Sequence, residues 1–136
     1  MSKDETFPVS CSDAQWRDKL SANEFYVLRK HGTEPAGTSA LNNEKRNGTY
    51  LCAGCDQELF QSETKYNSGS GWPSFYQPME GAIATTVDRS HGMTRTEVHC
   101  ARCGGHLGHV FEDGPKPTGL RYCMNGVAMK FAPKAG

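Results

Sequence analysis

Two Cys-x-x-Cys pairs, Cys52/Cys55 and Cys100/Cys103, take up four of the six cysteines in this 136-residue chain. Each pair sets two thiolates about one turn apart, so both sulfurs can reach one ion. Two pairs together specify a tetrahedral four-thiolate site, with one structural zinc ion as its expected occupant. Iron is the alternative that the same ligands allow. A closed site of this kind has no open position for substrate, so it holds the fold rather than performing chemistry. The segment between the pairs, residues 56–99, is long for a small four-cysteine module and must be a structured insert clamped at its base. Gly54 and Gly104-Gly105 suit the tight turns around the metal. Three disulfides are the competing use of six cysteines. The paired spacing, and an N-terminus without a signal-peptide core, favour reduced thiols and a cytoplasmic protein.

Fifteen basic residues balance fifteen acidic ones. A nucleic-acid binder of this size would carry a basic surplus to neutralise phosphates, so that class is set aside. No apolar run has the length of a membrane helix. Fifteen glycines and seven prolines favour short strands and turns over long helices. The length suits one domain, residues 12–136, preceded by a loose segment at 1–11, and a monomer is expected.

Two capping boxes start the ordered region. Ser12-Asp13-Ala14-Gln15 precedes Trp16 and Leu20, and Ser21-Ala22-Asn23-Glu24 precedes Phe25 and Leu28, which predicts two short helices ending before Gly32. Residues 33–48 are polar and turn-prone and read as a loop lying over the domain. Strands are expected at 49–51, 58–60, 82–87, 94–99, 106–111, 120–125 and 127–131, with 82–87 and 94–99 forming an antiparallel hairpin.

Cys123 lies outside the metal set, in Arg121-Tyr122-Cys123-Met124-Asn125. Strand alternation puts Arg121, Cys123 and Asn125 on one surface. An Arg two residues away stabilises a thiolate, and Asn125 can donate to an oxygen near the sulfur. His106 and His109, in His106-Leu107-Gly108-His109, supply imidazoles for proton transfer, and Asp113 a carboxylate. These are the parts of a thiol enzyme. A strand cysteine is equally a small buried hydrophobe. His106 and His109 have opposite parity, so only one should face Cys123 unless Gly108 introduces a bulge. The run Ser68-Gly69-Ser70-Gly71-Trp72-Pro73-Ser74-Phe75 offers Trp72 and Phe75 either as a substrate platform or as a lid packed into the core.

In order along the chain, Cys52-Ala-Gly-Cys55, the Ser68–Phe75 run, Cys100-Ala-Arg-Cys103-Gly-Gly-His106-Leu-Gly-His109-Val-Phe111 and Arg121-Tyr-Cys123-Met-Asn125 resemble the B-type methionine sulfoxide reductases, the peptide-methionine (R)-S-oxide reductases. The resemblance spans roughly residues 12 to 132. It implies a mainly β fold, with two antiparallel sheets forming a barrel-like core, short N-terminal helices, and zinc away from the active site. It also implies that Cys123 attacks the sulfur of methionine (R)-sulfoxide and becomes a sulfenic acid, later reduced by thioredoxin. His109 is the implied acid, supported by His106, with Asp113 orienting an imidazole. Arg121 and Asn125 hold the anionic centre, and Trp72, with Phe75 beside it, receives the S-methyl group. Many members carry a resolving cysteine at the position of Ser70. Serine cannot form that disulfide, which leaves Cys11 as a candidate resolving thiol, or direct attack by thioredoxin. The rival class is a non-catalytic zinc-ribbon-like module that binds a protein partner.

Overall fold

The computed structural model describes residues 12–89, 92 and 94–133. Both capping boxes form. Ser12 Oγ accepts from Gln15 N while Gln15 returns to Ser12 N, and Ser21 and Glu24 repeat the exchange. They open α1 (Asp13–Lys19) and α2 (Ala22–Lys30), satisfying donors that a helix start otherwise leaves unpaired. α2 ends at His31, which takes the left-handed conformation (φ 59°) that the Gly32 position was expected to supply. Within the expected loop at 33–48 there is a short 3₁₀ turn at Ala40–Asn43, and its last residue, Gly48, already begins the first strand.

Nine strands follow, all paired antiparallel. β1 (Gly48–Cys52), β2 (Glu58–Gln61) and β9 (Met129–Pro133) form a three-stranded sheet in the order β2-β1-β9. β3 (Lys65–Tyr66), β4 (Ser74–Phe75), β5 (Ile83–Asp88), β6 (Arg95–Cys100), β7 (His106–Phe111) and β8 (Arg121–Met124) form a six-stranded sheet in the order β3-β4-β8-β7-β6-β5. The expected class holds: mainly β, two antiparallel sheets, two short helices. The barrel is open, because among the described residues the edge strands of the small sheet pair with no strand of the large one. The last strand begins later than expected, since a 3₁₀ turn occupies Gly126–Ala128. β3 and β4, two residues each, were too short to leave a periodic signal.

Aromatic rings join the sheets. Phe60 of β2 stacks on Phe75 of β4 with centroids 4.3 Å apart, and Tyr50 of β1 meets Phe75 edge-on at 5.0 Å. All three rings are fully buried, each contributing about 1.5–3 kcal/mol by removal from water. Phe75 is therefore a core residue. The expectation that it binds substrate is corrected, because its ring fills the gap between sheets. Trp16 of α1 is 1% exposed and lies under the Arg29 guanidinium of α2 at 4.7 Å, which holds the two helices together.

β8 alternates as expected. Tyr122 and Met124 are buried toward the core, while Arg121 and Cys123 are half-buried on the opposite face. Its neighbours pack tightly: a Cβ added at Gly108 would collide with the Cys123 carbonyl oxygen and lie 2.9 Å from Met124 Cα. Backbone cannot yield as a flexible side chain would. Gly108→Ala is therefore expected to cost at least about 2 kcal/mol, read as a lowered urea midpoint with an unchanged slope.

Candidate active site and metal centre

Cross-strand register lays the site out. Ser74 of β4 and His109 of β7 both sit directly opposite Cys123, one on each side of β8. Glu97 of β6 is opposite His109, and Thr86 of β5 is opposite Glu97. Residues opposite one another share a face, so one row runs Ser74, Cys123, His109, Glu97, Thr86. Two residues along each strand, on the same face, come Arg121, Arg95 and Asp88, with Asp88 opposite Arg95 and Phe111 opposite Arg121. Over this surface lies a cavity of about 340 Å³ lined by Thr33, Ser70, Trp72, Arg95, Gly108, His109, Phe111, Arg121, Cys123 and Asn125. That size falls within the range of about 300–1,000 Å³ usual for small-ligand sites. A half-exposed thiol faces it, not a sulfur sealed in apolar surroundings.

A chain of hydroxyls ends on that sulfur. Ser68 Oγ lies 2.7 Å from Ser74 Oγ and donates to Ser70 Oγ at 2.8 Å, and Ser70 Oγ lies 3.4 Å from Cys123 Sγ. Ser70 Oγ also lies 3.4 Å from Trp72 O, to which it donates. The Ser70 hydroxyl thus stands within hydrogen-bond reach of both the Trp72 carbonyl and the Cys123 sulfur.

His109 Nε2 is 2.9 Å from Asp88 Oδ2, with Arg95 Nη2 3.3 Å from the same oxygen. Burial pushes the His109 pKa below its ordinary 6.5, and the Asp88 bond only partly offsets this. The ring is therefore neutral near pH 7, with its proton on Nε2 toward the carboxylate and a lone pair on Nδ1. His106 is 2% exposed and lies deeper, its Nδ1 2.5 Å from Glu97 Oε2 and its ring centroid 5.5 Å from that of His109. The two imidazoles share a face despite opposite parity because of a bulge: Val98 pairs with Gly108 and His99 with His106, leaving Leu107 as the extra residue. His31 Nδ1 joins the same Glu97 oxygen at 2.6 Å, and that bond raises the His31 pKa. Burial works to raise the Glu97 pKa, but bonds from His106, His31 and His99 outweigh it and hold the carboxyl well below its ordinary range.

Arg121 donates to Asp113 through both Nε (2.9 Å) and Nη2 (3.1 Å), and that pair raises the Arg121 pKa, with the Cys123 sulfur adding to it. Asp113 therefore orients the guanidinium, correcting the expectation that it orients an imidazole. It lies two residues beyond Phe111, the residue opposite Arg121, while Asp88 takes the imidazole from two strands away. The Asn125 side chain is 3% exposed, accepting from Glu34 N at 2.9 Å and donating to Leu107 O at 3.0 Å. It lines the cavity and is bound to the backbone on both sides. Trp72 reaches the cavity from the glycine-rich loop, where Gly69 and Gly71 have φ of 77° and 92°, and its Nε1 donates to Glu34 O at 2.9 Å. Cys11 lies outside the described residues. Sequence reasoning missed Asp88, Arg95, Glu97 and Glu34. The expected strands, 82–87 and 94–99, left Asp88 in the turn, whereas the observed register sets it against Arg95.

The other four cysteines gather at the far ends of β1 and β6. Sγ of Cys52 is 3.7 Å from Cys103 and Sγ of Cys55 is 3.5 Å from Cys100, with all four sulfurs within 4.8 Å of one another. Tetrahedral bonds of about 2.3 Å to one ion require sulfurs roughly 3.8 Å apart, so the quartet fits a metal. Gly54 N and Arg102 N donate to Cys52 and Cys100 sulfurs, and Arg29 Nη1 lies 3.0 Å from Cys103 O and 3.9 Å from its sulfur. These donors offset the excess negative charge of four thiolates around a divalent ion.

Residues 20–133 match the family model described as the SelR domain. The chain belongs to this family, the B-type methionine sulfoxide reductases. It is 55% identical over 126 residues to the peptide methionine sulfoxide reductase MsrB of Leptospira interrogans, covering 92% of this chain and 96% of that one. It is 53% identical over 126 residues to the protein of that name from Agrobacterium fabrum, covering 92% and 93%. The Pseudomonas putida protein of the same name is 56% identical over 123 residues, covering 90% and 92%. Among the described residues no helix is long and apolar enough to cross a membrane.

Removing the Asp88 carboxylate takes away the main influence that raises the His109 pKa and leaves burial unopposed. In Asp88→Asn, the His109 midpoint followed by NMR should fall below that of the unmodified protein, which itself lies under 6.5. A midpoint that rises or stays put would contradict the pairing.

Proposed function

We propose that the chain reduces methionine (R)-sulfoxide in peptides and proteins to methionine, with Cys123 as nucleophile. One observation carries the reading: the Cys123 sulfur opens into a cavity between an imidazole, a guanidinium and an indole. The substrate's S-methyl group lies against Trp72, with the sulfoxide sulfur toward Cys123. Neutral His109 takes the thiol proton on Nδ1 as the sulfur attacks, and Asp88 steadies the imidazolium that forms. That proton then passes to the sulfoxide oxygen. The S–O bond of the substrate breaks as its oxygen passes to the Cys123 sulfur, so thiol and sulfoxide become sulfenic acid and thioether. Arg121, anchored by Asp113, and the Ser70 hydroxyl hold negative charge at the sulfur. His106 supports His109 from behind, through Glu97, and Asn125 shapes the cavity floor.

Two thiols complete the cycle. The first condenses with the sulfenic acid to a disulfide, releasing water, and the second reduces the disulfide. Thioredoxin is the proposed reductant. Either Cys11 or a thioredoxin thiol attacks first, since Ser70 cannot. The five described cysteines are all free, which suits the cytoplasm, and one copy of the chain holds every group proposed for the attack on the sulfoxide.

Zinc is the proposed occupant of the Cys52, Cys55, Cys100 and Cys103 site. Four thiolates close its coordination sphere, so it supplies folding energy and no chemistry. Elemental analysis should find one zinc per chain. Chelation under mildly denaturing conditions should lower the Tm by at least about 10 °C, because site and fold form together.

Methionine release from each sulfoxide epimer, with dithiothreitol as reductant, tests the reaction. The R epimer should turn over and the S epimer should not. Cys123→Ser should lose at least about 10³-fold in kcat/KM, since a hydroxyl is a far weaker nucleophile than a thiolate. Equal release from the two epimers, or undiminished release from Cys123→Ser, would sink the proposal.

A further inference from the structure

Glu34 has a buried carboxylate, 8% exposed, and it touches none of the reacting groups. Its Oε2 accepts from Gly126 N at 2.7 Å and its Oε1 from Val127 N at 3.0 Å, filling the donors at the start of the 3₁₀ turn that follows Cys123 and Asn125. Its own backbone is bound on both sides of the peptide: Glu34 N donates to Asn125 Oδ1 at 2.9 Å, and Glu34 O accepts from Trp72 Nε1 at 2.9 Å. Three segments distant in sequence, at 34, 72 and 125–127, thus meet on one residue. Two of its partners, Trp72 and Asn125, line the cavity over Cys123.

We propose that Glu34 is the positioning residue that sets Trp72 and Asn125 around the Cys123 cavity; this rests on the reductase reading above. Three facts make the dependence strong. The backbone around Trp72 is held by Gly37, Asn42 and Ser70, but the indole has one N–H, and it donates to Glu34 O. A second cavity, of about 610 Å³ and lined by Glu34, Gly126, Val127 and Met129 among others, lies behind this segment. Packing on that side therefore cannot hold residue 34 once the carboxylate bonds are gone. A carboxylate taken out of water is costly unless its lone pairs are filled, and here two backbone N–H groups fill them only in the observed geometry.

Glu34→Gln keeps the shape but turns an NH₂ toward a backbone N–H, breaking one of the two bonds. It is best read in a Trp16→Phe background, because Trp16 and Trp72 are the only two tryptophans. The remaining indole then reports Trp72. The substitution should raise KM for the R epimer on the order of tenfold, the loss of one charge-assisted bond, with kcat within about twofold. Acrylamide quenching of Trp72 should rise at least about twofold, as its hydrogen bond to residue 34 loosens. Unchanged KM and unchanged quenching would overturn the proposal. So would a rate loss in proportion to a lowered Tm with the indole still protected. Should Glu34→Gln fail to fold, Glu34→Asp, which keeps the charge but withdraws it by one methylene, takes the same two readings. An unmodified chain with no R-epimer activity would sink the reductase reading, while the quenching arm would still decide whether Glu34 holds the indole.

Discussion

The pairing of β8 on both its edges is the constraint on which the rest of the structure depends. A four-residue strand has little stability alone, yet β8 lies between β4 and β7 and packs Tyr122 and Met124 into the aromatic core. Because side chains alternate, burying those two residues forces Arg121 and Cys123 outward. A slip of one residue would exchange the pairs, putting a guanidinium among the rings of Phe60 and Phe75. The hydrophobic core thereby aims the Cys123 sulfur at the cavity, and the glycine at 108 lets the neighbouring strand come close enough to keep the register.

Charge is arranged around the same ladder. Two carboxylates, Asp88 and Glu97, lie on the face that carries Cys123, and each is matched to imidazole or guanidinium. The negative charge is held in these pairs, while a hydroxyl, a guanidinium and a neutral imidazole stand around the cavity that Cys123 faces. His109 is kept neutral by burial and is ready to form an ion pair with Asp88, which suits a group that accepts a proton before giving it up. Four further cysteines lie apart from this face, with Arg29 and backbone N–H groups against them. The chain thus separates the four sulfurs that could hold a metal ion from the one exposed to a cavity.

Much of this was legible in the sequence, and the parts that were share one property: they are local. The two capping boxes, the Cys-x-x-Cys knuckles, the hairpin at 83–100 and the outward face of Arg121 and Cys123 each follow from residues within a few positions of one another. What escaped depends on register across several strands. Asp88 reaches His109 only because β5, β6 and β7 align, and Glu97 gathers His31, His99 and His106 only after α2 has docked and β7 has bulged at Leu107. Asp113 misled for the same reason. Nearness in sequence pointed it at an imidazole, whereas Arg121 on the paired strand was closer in space. Phe75 was ambiguous because a two-residue strand shows no alternation, and its place became clear once Tyr50 and Phe60 were seen against it.

The position of Ser70 is the sharpest case of local chemistry set by distant structure. A thiol there could trap the oxidised nucleophile as a disulfide, at the expense of needing a partner that moves. A hydroxyl cannot be oxidised in this way, so it keeps its place beside the sulfur, bonded to Ser68 and Trp72 O. Ser68 is itself held by Ser74, the residue paired with Cys123 on the opposite edge from His109. The Cys123 sulfur is thus flanked from both neighbouring strands, by a hydroxyl chain on one side and an imidazole–carboxylate pair on the other. In the proposed cycle, recovery of the thiol then comes from a sulfur outside this cradle, which keeps the reducing step separate from the geometry proposed for the attack.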